Sequence, residues 1–128
     1  MHQNKNKKHQ PVLLNKVLQI LDPRPGDTYL DLTSGYGGHA QMILDKTKAY
    51  KGSVLVDRDK DAINYLRKKF QDKEISIISE DFLSASKKLL ESKKHFDLIF
   101  ADLGVSSQHL DEAKRGFSFM FILMYKVT

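Results

Sequence analysis

"DLTSGYGGH" (31–39) is the stretch that decides the fold class of this chain. It follows a short apolar run and combines one carboxylate, three glycines and a histidine within nine residues. Gly35, Gly37 and Gly38 allow positive φ angles, and they let a ligand approach the peptide planes without meeting a Cβ atom. Helical N–H groups that follow the glycines face the same place. The stretch therefore predicts the end of a strand, a ligand-binding turn and the start of a helix.

On both sides of this stretch, the sequence alternates between strand and helix patterns. Pro11 suits the first turn of a helix that runs to about residue 21. Helices between successive strands force parallel pairing, because the chain must return to the same end of the sheet each time. The pattern predicts an α/β, Rossmann-like sheet. The predicted strands are 28–32, 53–57, 75–79 and 96–104; the helices between them are 39–47, 60–70 and 83–92, and Ile63, Tyr65, Leu66 and Phe70 form the expected buried side of helix 60–70.

Length and composition indicate one soluble domain. The chain has 128 residues, of which 41% are hydrophobic and 29% charged, and no apolar run approaches the roughly 20 residues of a membrane span. A cytoplasmic protein without a signal peptide or membrane contact is expected. The absence of cysteine excludes disulfides and thiolate metal sites. Neither His39 nor His109 has metal-ligand spacing, so no metal site is predicted.

The charge balance is compatible with a polyanionic partner. Lys and Arg number 21 against 16 acids, and residues 1–10 carry Lys5, Lys7 and Lys8 without an acid. A positive excess favours RNA, because neutralising each phosphate releases counterions. Lysine-rich helix faces are, however, usually only solvated. A noncatalytic RNA-binding module is therefore one alternative for the function.

Acidic residues stand at the predicted strand ends, where ligands bind in sheets of this kind. Asp57 follows Gly35 by 22 residues, close to the roughly 20-residue spacing at which a carboxylate binds a ribose diol. Asp81 either accepts a hydrogen bond from an adenine amino group or caps the following helix. Together with the glycine turn, these acids predict an adenosine-containing cofactor.

The identity of that cofactor depends on Asp31. "GYGGHA" satisfies the dinucleotide pattern, so an NAD-dependent oxidoreductase is the second alternative. A pyrophosphate at the helix start would be repelled by the Asp31 carboxylate, whereas the ammonium group of S-adenosylmethionine would be attracted. Alternatively, Asp31 forms hydrogen bonds only with the amides of its own loop.

Five stretches resemble, in order and spacing, the ribosomal RNA small-subunit methyltransferase H family, also called MraW. The resemblance covers about residues 9–120, and its last stretch is the most specific. It implies a class I S-adenosylmethionine-dependent methyltransferase fold and a cytoplasmic bacterial enzyme. That enzyme would methylate the N4 amino group of a cytidine in 16S rRNA of the small ribosomal subunit. The stretches are "HQPVLLNKVL" (9–18), "YLDLTSGYGGHA" (29–40), "VDRDKDAI" (56–63), "EDFLS" (80–84) and "DLGVSSQHLDEAKRGFSF" (102–119).

The resemblance also implies roles for individual residues. An acceptor for one hydrogen of the target amine would make its nitrogen a better nucleophile, and Asp102 or the carbonyls of "DLGV" are the candidates. "GVSSQHLD" has His109 where the family has glutamine and Gln108 one position earlier, so both are candidate cofactor contacts. The resemblance implies that the cofactor is lined by Gly37, Gly38 and His39. It also implies that Asp57 holds the ribose, that Phe82 packs beside the adenine and that Asp102 lies near the reacting end.

The resemblance divides the chain into a basic segment (1–10), a partial methyltransferase domain (11–120) and a tail (121–128) unlike the family. Four parallel strands are about half of the usual seven-stranded sheet, so the fourth strand would present an open edge. The apolar tail would cover that edge as a strand or by packing. Weak cofactor binding and little or no methylation are expected of such a partial domain. The sequence does not predict an oligomeric state.

Overall fold

The computed structural model describes residues 13–105 and 119–126. Helices and strands alternate along the first of these ranges, as the sequence predicts. The elements are α1 (13–21), β1 (Tyr29–Asp31), α2 (Gly38–Thr47), β2 (Val54–Asp57), α3 (Lys60–Lys69), β3 (Ser76–Ser79), α4 (Phe82–Glu91), β4 (Leu98–Val105) and β5 (Phe119–Lys126).

The strands form one sheet in the order β3-β2-β1-β4-β5. The first four strands of that order are parallel to one another, which confirms the predicted α/β arrangement. β5 pairs antiparallel with β4 along its whole length, from Leu98 opposite Lys126 to Val105 opposite Phe119. The apolar end of the chain thus covers the edge of β4, and the outer edge of the sheet on this side belongs to β5.

Side chains of each central strand alternate between two apolar layers, because successive residues of a strand point to opposite faces. Leu55 of β2 packs into the layer built with α1, α2 and α3, which includes Val17 and Ile43. Its neighbours Val54 and Val56 pack into the layer on the α4 side. Both faces of the parallel sheet are therefore covered, and the polar residues at the strand ends are held on a rigid support.

Helix α3 shows one error in the predicted buried face. Ile63, Leu66 and Phe70 are buried as expected, but Tyr65 is 48% exposed. Positions 63, 66 and 70 follow the i, i+3, i+7 spacing of one helical stripe, whereas position 65 lies about 100° from position 66 around the axis. The ring of Tyr65 therefore faces away from the core.

Candidate functional site

A cleft of about 490 Å³ lies where the glycine turn meets β4. Four separate parts of the chain converge on it, since α1, the turn after β1, the end of α3 and β4 all contribute. Its walls combine apolar side chains with a lysine, a histidine and a carboxylate. The lining residues are Leu13, Leu14, Ser34, Tyr36, Gly38, His39, Lys69 and Asp102.

Two glycines of the turn differ in the space around them: a side chain would clash at Gly37 but not at Gly38. Gly37 has φ +85°, and a Cβ atom there would lie 2.8 Å from Cδ2 of Leu66. Gly37 is therefore required by the close approach of α3. Gly38 is the first residue of α2, and a Cβ atom built on it would meet nothing within 4 Å. The backbone of Gly38 is thus presented to the cleft, as a site for close ligand approach requires.

Two hydroxyl residues that the sequence analysis did not single out tie the strand ends together. The Ser34 hydroxyl donates to the Asp31 carbonyl (3.1 Å) and accepts from the Val56 N–H (3.1 Å). Thr33 Oγ1 accepts from the Asp102 N–H at 2.7 Å. These contacts link β1 to β2 and to β4 at the floor of the cleft. The only sequence signal for them is a Thr-Ser pair directly before the glycines.

Asp31 lies beneath the turn and is 1% exposed. The Tyr29 hydroxyl donates to its Oδ2 (2.7 Å), and the Thr33 N–H donates to its Oδ1 (3.1 Å). Burial raises the pKa of Asp31 to about 7; these hydrogen bonds oppose the rise, and the charges of Asp57 and Asp102 add to it. Asp31 therefore does bond to an amide of its own loop. It is also electrostatically coupled to the two other acids of the site.

Asp57 holds the glycine turn from the end of β2. Its Oδ2 accepts from the Gly35 N–H and its Oδ1 from the Asp59 N–H, each at 2.8 Å. A carboxylate has about four acceptor positions, so both oxygens retain a lone pair for a further donor. The same side chain can thus shape the turn and accept hydrogen bonds from a ligand.

His39 and Asp102 face the cleft together. The His39 ring stacks on Phe100 with centroids 4.6 Å apart. Its buried Nε2 atom has no hydrogen-bond partner in the part of the chain that the structure describes. Burial lowers the pKa of His39, and the charge of Asp102 opposes this. A buried ring nitrogen without a partner beside an open cleft is a group that a bound ligand can satisfy.

The predicted adenine-binding pair lies elsewhere. Asp81 is exposed and caps α4, accepting from the Ser84 N–H (2.8 Å) and hydroxyl (3.0 Å), and these bonds lower its pKa. Phe82 is half-buried and packs against the apolar layer on the α4 side. Neither residue lines the cleft described above. Their contact with an adenine stays a prediction, and Gln108 and His109 lie outside the described residues.

The structure brings Gly38, His39 and Asp102 together at the cleft surface, with Asp31, Gly35, Gly37 and Asp57 supporting it. Across 13–105 and 119–126, no three acidic or histidine side chains are placed to hold a metal ion. No helix in these ranges is long and apolar enough to cross a membrane.

Sequence comparison finds a matching family model and similar curated relatives. The model of the MraW methylase family matches residues 6–123. Ribosomal RNA small subunit methyltransferase H of Rickettsia akari (strain Hartford) is 43% identical over 114 residues, covering 88% of this chain and 36% of the relative. The protein of the same name from Mycoplasma genitalium is 41% identical over 119 residues, covering 91% and 38%. The chain thus spans little more than a third of the length of these relatives.

Solved structures with a similar fold are distant in sequence. Precorrin 8W decarboxylase from Methanobacterium thermoautotrophicum has a TM-score of 0.58 at 12% identity, covering 92% of this chain and 90% of that one. A SAM-dependent O-methyltransferase from Thermotoga maritima has a TM-score of 0.54 at 12% identity, covering 81% and 48%. An RNA methyltransferase from Salinibacter ruber, solved with S-adenosyl-L-homocysteine, scores 0.50 at 16% identity, covering 72% and 74%. These likenesses confirm the predicted Rossmann-like α/β fold.

Proposed function

Since this chain belongs to the MraW methylase family, we propose that its cleft binds S-adenosylmethionine and that it serves methylation of a cytidine N4 amine in 16S rRNA. The observation that carries the proposal is the convergence of three acidic residues, Asp31, Asp57 and Asp102, around a glycine-rich turn. Their mutual repulsion is relieved by a cation, and the cofactor brings an ammonium and a sulfonium group.

A phosphate-bearing cofactor suits this arrangement poorly. A pyrophosphate on the amides of Gly37 and Gly38 would add negative charge beside the same three acids. The N-terminal dipole of a helix corresponds to only about half a positive charge. That half charge does not offset several neighbouring carboxylates in a partly buried site. The dinucleotide alternative raised by "GYGGHA" is therefore disfavoured by electrostatics as well as by family membership.

The residues present fit the cofactor in distinct places. The bare backbone of Gly38 accommodates its amino-acid end, and the Asp57 oxygens accept from its ribose hydroxyls. Asp31, whose pKa of about 7 leaves it partly protonated at neutral pH in the ligand-free protein, would be ionised by the nearby ammonium group of the cofactor. The partnerless Nε2 of His39 is a further polar contact. When bound, S-adenosylmethionine supplies a methyl group activated by its positively charged sulfur.

Asp102 is the proposed acceptor for the target amine. Its backbone is fixed to Thr33 Oγ1, and its side chain lines the cleft beside His39. The lone pair of a cytosine N4 amine is delocalised into the ring, and a carboxylate that accepts one amino hydrogen localises it. Holding the amine, the methyl carbon and the sulfur in line is the remaining task of the protein.

Calorimetric titration tests the cofactor. We expect S-adenosylmethionine and S-adenosylhomocysteine to bind, with weak affinity, and NADH not to bind. Asp57→Asn should weaken binding, whereas Asp97→Asn, at the opposite end of the sheet beside Thr28, should not. Saturation by NADH alone would refute the proposal.

A transfer assay tests the substrate. Methyl-labelled S-adenosylmethionine is incubated with the chain and with small ribosomal subunits that lack the modification. Little label is expected from this partial domain, and any label that is transferred should lie in a cytidine of 16S rRNA. Salt-sensitive RNA binding that no cofactor alters, without any cofactor binding, would instead identify a noncatalytic RNA-binding module.

A further inference from the structure

Two tyrosines form an exposed pair at the mouth of the cleft. Tyr36 lines the cleft and is 55% exposed, and Tyr65 is 48% exposed. Their ring centroids are 5.2 Å apart with an interplanar angle of 77°, an edge-to-face contact. Two clustered aromatic rings left in water beside a cleft are typical of a binding surface rather than of a packing contact.

A lysine completes the cluster. The stem of Lys69 passes the glycine turn, with its Cδ 3.8 Å from where a Cβ on Gly37 would lie. Its ammonium group is 5.7 Å from the Tyr65 ring centroid, and the residue also lines the cleft. The Lys69 stem therefore lies within ordinary contact distance of the glycine turn.

We propose that Tyr36, supported by Tyr65 and flanked by Lys69, is the stacking platform for an unpaired base of the substrate RNA next to the nucleotide that enters the cleft. This inference depends on the proposed function, because it assigns the substrate contact of the same site. Single-stranded RNA is held by aromatic rings that stack on bases and by cations that meet the phosphates. The cluster supplies both within one surface.

The pair geometry favours Tyr36 as the ring that receives the base. The edge-to-face contact limits the rotation of Tyr36, and its more than half-exposed ring lies at the wall of the cleft. Tyr65 already has the Lys69 ammonium over its ring. A base adjacent to the reacting nucleotide therefore meets Tyr36 first. The chain as a whole carries a formal charge of +5, which agrees with an anionic partner.

The test measures fluorescence anisotropy of a labelled, single-stranded oligoribonucleotide of about 8 nucleotides, within the roughly 4–16 that such a surface spans. Tyr36→Ala should raise Kd about 5- to 150-fold, the range that the loss of one stacked base implies, and Tyr36→Phe should retain the wild-type Kd. Lys69→Met should reduce the slope of log K against log salt concentration by about 0.7, as the loss of one phosphate contact predicts. The tyrosine variants should leave that slope unchanged.

Tyr125→Ala is the matched control. Tyr125 is similarly exposed (54%) but lies opposite Ile99, toward the other end of β4 from Asp102. No saturable RNA binding by the wild-type chain, an unchanged Kd for Tyr36→Ala, or an equal loss for Tyr125→Ala would overturn the inference.

Titration with S-adenosylhomocysteine separates this inference from the proposed function. Tyr36→Ala should raise the RNA Kd by a much larger factor than the cofactor Kd, because the ring is assigned to RNA. If Tyr36→Ala impairs cofactor binding and not RNA binding, the ring belongs to the cofactor site and the inference is wrong. If the chain binds RNA through Tyr36 but binds no cofactor, the inference stands and the proposed function fails.

Discussion

Replacing Asp31 with asparagine should make the ligand-free protein more stable at neutral pH. The folded-state pKa of about 7 lies above the ordinary value of 3.8. In the window between those two values, the folded protein holds a proton that the unfolded chain has released. The stabilisation from this proton is complete below the unfolded pKa and is lost as pH rises through the folded pKa.

The magnitude follows from the two pKa values. The difference between them corresponds to roughly 4 kcal/mol, at about 1.36 kcal/mol for each pKa unit. Between pH 5 and pH 8 the expected loss is roughly 2–3 kcal/mol of unfolding free energy. Asparagine at position 31 does not titrate. It can still accept from the Thr33 N–H and donate to the Tyr29 oxygen, so both hydrogen bonds at this site can be kept.

Urea denaturation of both proteins at pH 5, 6, 7 and 8 measures the effect. The difference in unfolding free energy between Asp31→Asn and wild type should grow by roughly 2–3 kcal/mol over this range. Taking the difference removes the titration of histidines common to both proteins. Asp97→Asn leaves Asp31 in place, so the unfolding free energy of this variant should still fall as the pH rises. A difference between Asp31→Asn and wild type that stays constant with pH would refute the electrostatic reasoning.

Three further predictions concern the turn and the floor of the cleft. Gly37→Ala should lower the unfolding free energy by about 2–4 kcal/mol, because alanine is strained at the left-handed φ and its Cβ overlaps with Leu66. Gly38→Ala should change the unfolding free energy by less than about 1 kcal/mol but weaken S-adenosylmethionine binding in calorimetry. Equal stabilities of the two variants would contradict this prediction. Thr33→Val removes the acceptor for the Asp102 N–H and should lower the unfolding free energy by about 1–2 kcal/mol in urea denaturation. Thr33→Ser keeps a hydroxyl and should restore most of that stability. Equal losses for the two variants would show that the hydrogen bond is unimportant. Asp102→Asn should keep the fold and most of the cofactor affinity of this chain, and the matching substitution in an intact relative should reduce methyl transfer at least about 100-fold. Unchanged transfer of label to 16S rRNA by that variant would reject the role of Asp102.

The parts of the fold that depend on local pattern could be predicted from the sequence. Alternating apolar and helical segments predict the parallel pairing of β1 to β4, because helical connections return the chain to the same end of the sheet. The glycine turn was likewise visible, since a positive φ at Gly37 requires that residue type. The strand ends and their acids follow from the same pattern.

The contacts that depend on partners distant in sequence could not be predicted. Nothing near Thr33 indicates that its hydroxyl accepts from the backbone of Asp102, which is 69 residues away. Asp57 was assigned to a ribose from its spacing alone, and its bond to the Gly35 N–H appears only once β1 and β2 are paired. That the apolar tail covers the edge of β4 was expected from the sequence, but its antiparallel direction and its register were not.

The exposure of Tyr65 shows a limit of the hydrophobic pattern itself. Tyrosine counts as apolar in the pattern although its hydroxyl tolerates water, so its position on α3 has to be decided by the helical angle to Leu66. Its partner Tyr36 lies on another element. The exposed pair was therefore not visible in either local stretch.

The most direct test of the central claim is a crystal structure of the chain soaked with S-adenosylmethionine and NADH together. The three carboxylates predict that S-adenosylmethionine occupies the cleft, with its amino-acid end against Gly38 and its ribose hydroxyls on Asp57. Pyrophosphate oxygens resting on the amides of Gly37 and Gly38 would contradict the claim that this site is built for a cationic nucleoside.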